Sequence, residues 1–409
     1  MHADIVIVGA GMVGSALALA LQSLPLKIVL LDSGSLSAQP LDFQRPFAPR
    51  VSALSLASER ILTRLQAWSG IQQRRACPYY QMEVWDGDGT GNIQFSAADV
   101  HAEHLGHIVE NDLVQDALLE QLANSPIQLL AHSRLEQLTR SQNGWQLSLS
   151  DQSLLTTPLL IAADGANSAV RRLTQAPTRE WDYLHHAIVT SVQTEQPHQH
   201  TAWQRFTATG PIALLPLTGQ PPAGHWCSLV WSTTPEHARQ LMALDSQVFN
   251  QALGQAFEYR LGKIIHSDQR FSIPLRQRHL KRYVQPGLAF IGDAAHTIHP
   301  LAGQAVNMGF LDAASLAENL IAAAQRGEQL ASGRVLSRFE RQRMPHNLTM
   351  MGAMEGFQHL FQSDHLALRL ARNFGLKLMN DTPLSKALIT RQALGEGSYL
   401  PALARPLPS

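Results

Sequence analysis

Asp4-Ile5-Val6-Ile7-Val8-Gly9-Ala10-Gly11-Met12-Val13-Gly14, with the Ala/Leu-rich run Ser15 to Leu21 behind it, decides how the rest of this 409-residue chain is read. A continuous run of β-branched residues predicts a strand buried on both faces, and the Ala/Leu run predicts a helix, so the glycines fall in the turn between them. Gly9 permits the tight bend and Gly11 lets main-chain N–H groups approach a pyrophosphate. Gly14 lets the helix pack on the strand, with its positive dipole end toward the anion. A second apolar run, Lys27 to Leu31, ends in Asp32, placed to accept hydrogen bonds from a ribose hydroxyl. Three glycines alone would be a weak signal. Strand, helix, second strand and terminal acid together point to a bound dinucleotide, the alternative being an ordinary βαβ unit with a Gly-rich turn.

Composition narrows the function classes. Lys+Arg and Asp+Glu are both 32, so no net field draws the chain to nucleic acid, and no nucleic-acid partner is expected. The two cysteines, Cys77 and Cys227, cannot make a disulfide framework and fit a reducing compartment. The first strand begins almost at once, with no leader pattern, and no apolar run approaches the roughly 18 residues of a spanning helix. A cytoplasmic protein is expected, with peripheral attachment at the inner membrane face left open. The 18 histidines show no metal-ligand spacing, so no metal is expected.

In chain order, Glu59 to Leu65 and Asn111 to Ala123 have helical spacing, and Gly87 to Gly91 reads as a hairpin turn that does not belong in a parallel nucleotide-binding sheet. From Trp181 to Tyr283 the pattern alternates as in an antiparallel sheet, interrupted by a helix over Gln247 to Leu261. Leu288 to Ile291 is another buried strand, followed by a helix over Asn307 to Ala324 and helical character from His346 to Gln392. The predicted fold class is α/β. A discontinuous Rossmann-like domain (1–78, 104–180 and 284–345) holds the nucleotide, a mostly antiparallel sheet domain (79–103 and 181–283) is inserted in it, and a helical region (346–409) follows.

Three stretches end an apolar strand in Gly or Asp: 9–14, 164–171 and 292–307. Ligands of an open parallel sheet collect at the carboxyl ends of its strands, so three such ends can converge on one extended ligand. Asp293 is placed either to hold sugar or ribityl hydroxyls or to cap a helix.

Gly9-Ala10-Gly11-Met12-Val13-Gly14, Asp164-Gly165-Ala166-Asn167-Ser168-Ala169-Val170-Arg171 and Gly292-Asp293-Ala294-Ala295-His296-Thr297-Ile298-His299-Pro300-Leu301-Ala302-Gly303-Gln304 together resemble the fingerprints of single-component flavoprotein aromatic hydroxylases. Met82 to Asp86, His104 to Asn111 and Trp181 to His186 resemble the ubiquinone-biosynthesis ring hydroxylases, nearest the polyprenylphenol hydroxylase branch. The resemblance implies FAD as cofactor, NAD(P)H as transient co-substrate, O2, and a polyprenylated phenol hydroxylated at ring C5 (also numbered C6), with other ubiquinone-biosynthesis proteins as partners.

It also implies roles for single residues. Gly9, Gly11 and Gly14 would cradle the FAD pyrophosphate and Asp32 its adenosine ribose, while Arg50 and Asn111 would touch FAD. Asp164 would lie near the pyrophosphate and Gly292-Asp293 at the ribityl chain. Pro300, Gly303, Gln304, Ala305 and Asn307 would face the ring system. The family reads Gly where this chain has Ala305, a methyl that is harmless to the backbone at negative φ but would crowd a close approach to the flavin. No catalytic base stands out; His296 and His299 are weak candidates. The C-terminal stripe of Met350, Met351, Met354, Phe357 and Phe361, with Arg369, Arg372 and Lys377, offers a lipid or partner surface or packs on its own core. Other readings stay open: a later methoxylated ring as substrate, a soluble aromatic acid held by Arg205 or Arg270, a flavin-binding scaffold without turnover, and an NAD-dependent dehydrogenase.

Overall fold

The computed structural model describes residues 1–40, 42–87, 91–297, 305–362, 390, 394–395 and 399–406. Ile5–Val8 and Ile28–Leu31 pair in parallel across the Met12–Leu21 helix, as the opening stretch predicts. Leu159–Ala162 lies against the other side of Ile5–Val8 and Leu288–Phe290 lies beyond it, both parallel. Gln128–Leu130 closes one edge and the antiparallel Val284–Gln285 the other. Every residue of the four central strands is buried, which is why they read as unbroken apolar runs rather than alternating ones.

A second, larger sheet runs in the order His296–Thr297, Phe271–Leu280, Thr178–Thr194, Trp226–Thr233, Gly210–Leu217, Thr201–Thr207, Gln81–Asp86, Asn92–Ser96, with Ile264–Ser267 beside Thr178–Thr194. All its pairs are antiparallel except Thr201–Thr207 with Gln81–Asp86. The hairpin around Gly87 therefore belongs to this sheet. Where one helix was expected, over Gln247 to Leu261, there are two, Pro235–Ala243 and Ser246–Ala256. The first is easily missed because its proline reads as a break. At the first helical position it lacks no needed N–H, and the preceding Thr234 hydroxyl accepts from His237 N at 3.4 Å.

Both helices cover one face of the large sheet: Ala238, Leu241, Phe249 and Leu253 pack on Ile188, Trp203, Ile212, Leu229 and Trp231. Strand alternation sends the intervening residues to the opposite face, where Val84, Gln204, Ala213, Val230 and Val189 stand opposite one another in a cross-strand row. That opposite face meets a small antiparallel sheet of Val51–Leu54, Gly106–Glu110 and Cys77–Tyr79, with Ala202, Leu215, Leu217 and Trp226 packed on Phe47, Ala53, Tyr79 and Ile108.

Ala305–Gln325 follows the third motif, and Gly333–Gln362 carries the chain into the C-terminal region. The second begins earlier than the sequence suggested and runs through Pro345. Met351 is buried with Met308, and Met350 and Met354 pack around them, so this part of the Met stripe is core. The side chains of Phe357 and Phe361, and residues Arg369, Arg372 and Lys377, lie outside the described residues.

Candidate active site

The three motif-bearing strands end side by side, with Val8 opposite Ala162 and Ala162 opposite Phe290, so their loops leave the sheet at one edge. Gly9 follows with φ +102°, and a Cβ there would sit 2.5 Å from the Ala163 carbonyl oxygen; the fold itself requires glycine. Gly11 is different. Its backbone is extended, and among the described residues nothing lies within 4 Å of where its Cβ would be. The helix it begins has no side-chain cap, so the first-turn N–H groups face that open space. An uncapped helix start behind a turn left free of side chains suits an anionic pyrophosphate.

Asp32 pins this loop: its Oδ2 accepts from Ala10 N at 2.8 Å and its Oδ1 from Gly34 N at 2.8 Å. A carboxylate so held keeps lone pairs for a ribose hydroxyl. Asp164 accepts from Val170 N at 3.1 Å through Oδ2, while its Oδ1 is buried with no hydrogen-bond partner among the described residues. Burial pushes that carboxyl above its ordinary range, an unmet acceptor that a ligand donor would satisfy. Asp293 is half-buried and its side chain accepts no hydrogen bond among the described residues. Burial pushes its carboxyl up against the pull of His296, Arg50 and Arg171. Asn111 receives the Ser52 hydroxyl at 2.7 Å, and its N–H donates to the Arg50 carbonyl at 3.0 Å.

Two buried arginines hold these loops together. Arg171 donates from Nη1 to Ala294 O at 3.0 Å and from Nη2 to Ala166 O, tying the second motif to the third. Arg75 pairs with Glu110 at 2.9 Å, lies over Phe47 and donates to Arg45 O, so it braces the segment that carries Arg50. Arg171 stood inside a motif without a role, and Arg75 carried no local signal at all.

The family model described as "FAD binding domain" matches residues 2–352. The chain belongs to the FAD-dependent monooxygenase family. It is 37% identical over 395 residues to 3-demethoxyubiquinol 3-hydroxylase of Escherichia coli, covering 96% of this chain and 98% of that one. It is 36% identical to the mitochondrial ubiquinone biosynthesis monooxygenase COQ6 of Xenopus tropicalis, covering 94% of this chain and 92% of that one. In fold it resembles p-nitrophenol 4-monooxygenase PnpA of Pseudomonas putida, with TM-score 0.77 and 18% identity over 98% of this chain and 100% of that one. The aromatic-hydroxylase fold expected from the sequence is therefore the fold of this monooxygenase.

The third motif of the monooxygenase is described only at its two ends. His299, Pro300, Gly303 and Gln304 lie outside the described residues. Ala305 opens the following helix and is not among the residues with positive φ, so its methyl meets no backbone penalty; it packs against Met308 and Met351. Ala305→Gly is accordingly expected to leave FAD retention within about twofold and to cost up to about 1 kcal/mol in stability. Flavin absorbance per chain after gel filtration, with a urea titration, checks both.

Asn307 is buried, and its side-chain amide is engaged by protein: Oδ1 accepts from Ser55 N at 3.0 Å and Ser58 Oγ at 2.7 Å, and Nδ2 donates to Ala53 O at 2.8 Å. It clamps the small sheet to the helix start. His296 is also given another task. Its Nε2 lies 2.5 Å from Asp312 Oδ2 and the residue is 1% exposed, so the ring is a buried partner of a carboxylate. Asp312 Oδ1 in turn receives Arg343 Nε at 2.9 Å and Asn347 Nδ2 at 3.0 Å. This charged cluster locks the Gly292–His296 turn to both C-terminal helices.

Proposed function

We propose that the chain hydroxylates the ring of a polyprenylated phenol in ubiquinone biosynthesis, with the later, methoxylated-precursor stage favoured over the 2-polyprenylphenol stage. The observation that carries the reading is the chemistry of the large sheet's two faces. Val84, Gln204, Ala213, Val230 and Val189, with Ala202, Leu215, Ser228 and Ser191 beside them, give the face toward the small sheet no ionisable group along its central row. The two arginines that a carboxylate-bearing substrate would need are turned to the other face. Arg205 pairs with Glu258 at 2.8 Å, and Arg270 donates to Leu241 O and Leu244 O while lying over Phe249. A neutral, lipophilic phenol suits this surface better than an aromatic acid. The identity to 3-demethoxyubiquinol 3-hydroxylase supports the later ring, whereas the stretches 82–86, 104–111 and 181–186 support the earlier one.

FAD would be held by Gly9, Gly11 and Gly14 at the pyrophosphate, Asp32 at the ribose, Arg50 and Asn111 beside it, Asp164, and Gly292 and Asp293 at the ribityl chain. Pro300, Gly303 and Gln304 would lie by the ring system with Ala305 and the main chain of Asn307. Bound there, it supplies electron transfer from NAD(P)H and activation of O2. The protein's own contribution is placement: the uncharged sheet face holds the ring and keeps water away, and the start of the Ala305–Gln325 helix turns positive dipole toward developing negative charge. A scaffold that does not turn over is the second reading, and Ala305, the residue that suggests it, carries its methyl without backbone strain. Among the described residues no helix is long and apolar enough to cross a membrane, so a long isoprenoid tail would reach the site by peripheral contact with a membrane or from neighbouring biosynthetic proteins.

The test is anaerobic reduction by NADH or NADPH followed by oxygen, with 2-polyprenylphenol and demethoxyubiquinol offered separately and products identified by mass. Faster bleaching and a hydroxylated product with demethoxyubiquinol are expected. Turnover of 2-polyprenylphenol alone would shift the reading to the earlier ring, and turnover only of aromatic acids would overturn it.

A further inference from the structure

Sequence spacing gave no reason to expect a metal, yet folding gathers three ligand-type side chains from two distant segments. Glu59 lies in the first turn of Leu56–Arg64, positioned by the Ser55 cap. His104 and His107 flank the entry to Gly106–Glu110. Glu59 Oε2 is 2.7 Å from His104 Nε2, and Glu59 Oε1 is 2.7 Å from His107 Nδ1. The two rings meet edge to face, 4.5 Å between centroids, and the three ligand atoms all lie within 4.8 Å of one another.

We infer that Glu59, His104 and His107 form a site for one divalent transition-metal ion, with zinc as its occupant. Two imidazole nitrogens and one carboxylate oxygen are the donor set of three-ligand zinc sites that keep a fourth position open. Bonds of about 2.1 Å place tetrahedral ligands roughly 3.4 Å apart, so each nitrogen–oxygen contact must widen by about 0.7 Å. The cluster can make that adjustment because one side is accessible: the His104 side chain is 17% exposed, against 9% for Glu59 and 10% for His107. Water reaches the fourth position and the ion enters by the same route. Without metal, the carboxylate bridges both imidazoles, one on each oxygen, which keeps the three donors gathered.

The ion would fasten the Leu56–Arg64 helix to the Gly106–Glu110 strand. That joint is continuous with the candidate active site, because Glu59 N donates to Ser55 O at 3.0 Å and Ser55 N donates to Asn307 Oδ1 at 3.0 Å. The site is a structural clamp beside the flavin-binding elements, and its occupancy is independent of the hydroxylation chemistry.

The experiment uses the full chain, tag-free and with whatever flavin it carries, stripped of metal by chelator and desalted. Zn2+ is titrated by calorimetry and Co2+ by its ligand-field absorption to the red of flavin. One ion per chain with a dissociation constant at or below about 1 μM is expected, tetrahedral cobalt bands, and a Tm raised by about 2 °C or more at saturation. His104→Gln, at the accessible side, should weaken binding at least about 100-fold and abolish the cobalt bands with the fold intact by circular dichroism; Glu59→Gln should do the same where it folds. No stoichiometric binding, or equal binding by the His104→Gln and His107→Gln variants, would overturn the assignment and return the cluster to a hydrogen-bonded brace.

Discussion

Asp312→Asn is expected to lower global stability by roughly 3–5 kcal/mol, because it leaves the Arg343 guanidinium and the His296 ring buried without their carboxylate. Arg343 and Asp312 are both 0% exposed, so water cannot replace what is lost. A urea titration of the variant against the parent checks the size, and Glu136→Gln serves as a comparison. Glu136 pairs with Arg134 at the surface, the two side chains 47% and 72% exposed, and its loss should change stability by less than about 0.5 kcal/mol.

The pH dependence has a definite sign. Burial by itself would raise the Asp312 carboxyl, but His296 and Arg343 outweigh it and hold the group well below the ordinary aspartate range. A carboxyl depressed in the folded state contributes stability that is present above its unfolded value, about pH 4, and lost as pH falls through the folded value. The difference between parent and Asp312→Asn should therefore shrink as pH drops below about 4. A difference under about 1 kcal/mol at neutral pH, or one that grows in acid, would sink this account of the cluster.

Gly11→Val should give a folded protein that has lost its flavin. Gly11 has φ −65° and ψ 179°, a backbone open to any residue, and its Cβ would enter space that no atom of the described residues borders. Stability should change by about 1 kcal/mol or less, since valine is a poorer helix cap than glycine, whereas FAD affinity should fall at least about 100-fold. Gly9→Ala is the counterpart. It forces a side chain into φ +102° and against the Ala163 carbonyl, so it should destabilise the fold whether or not flavin is present. Apo and flavin-reconstituted samples of both variants, followed by flavin fluorescence and thermal unfolding, separate the two roles. A Gly11→Val protein with full flavin content would remove the pyrophosphate from this turn.

Much of this was legible in the chain because it is local. Ile5–Val8, Ile28–Leu31, Leu159–Ala162 and Leu288–Phe290 are buried on both faces, so their apolar runs are unbroken. Gly9 is fixed by its own φ, and Asp32 and Asp164 stand at strand ends where any reader would look for a ligand. The Pro235–Ala243 helix was less legible, since a proline at a helix start and a proline that breaks a strand look the same in sequence.

The amino-acid sequence by itself determined the α/β class and the three motifs at strand ends, because strand periodicity and loop glycines depend on neighbours in the chain; the flavin and the family followed from the resemblance that those motifs carry. Only the tertiary structure decided which charged groups are partners. Asp312 meets His296 and Arg343, Arg171 meets Ala294, and Glu59 meets His104 and His107, across 16, 31, 123, 45 and 48 residues of chain respectively. It also turned Arg205 and Arg270 away from the face where an aromatic acid would need them. A buried charge can be seen in sequence as an anomaly on an apolar face, but the partner that compensates its desolvation is chosen by packing, which no local pattern encodes.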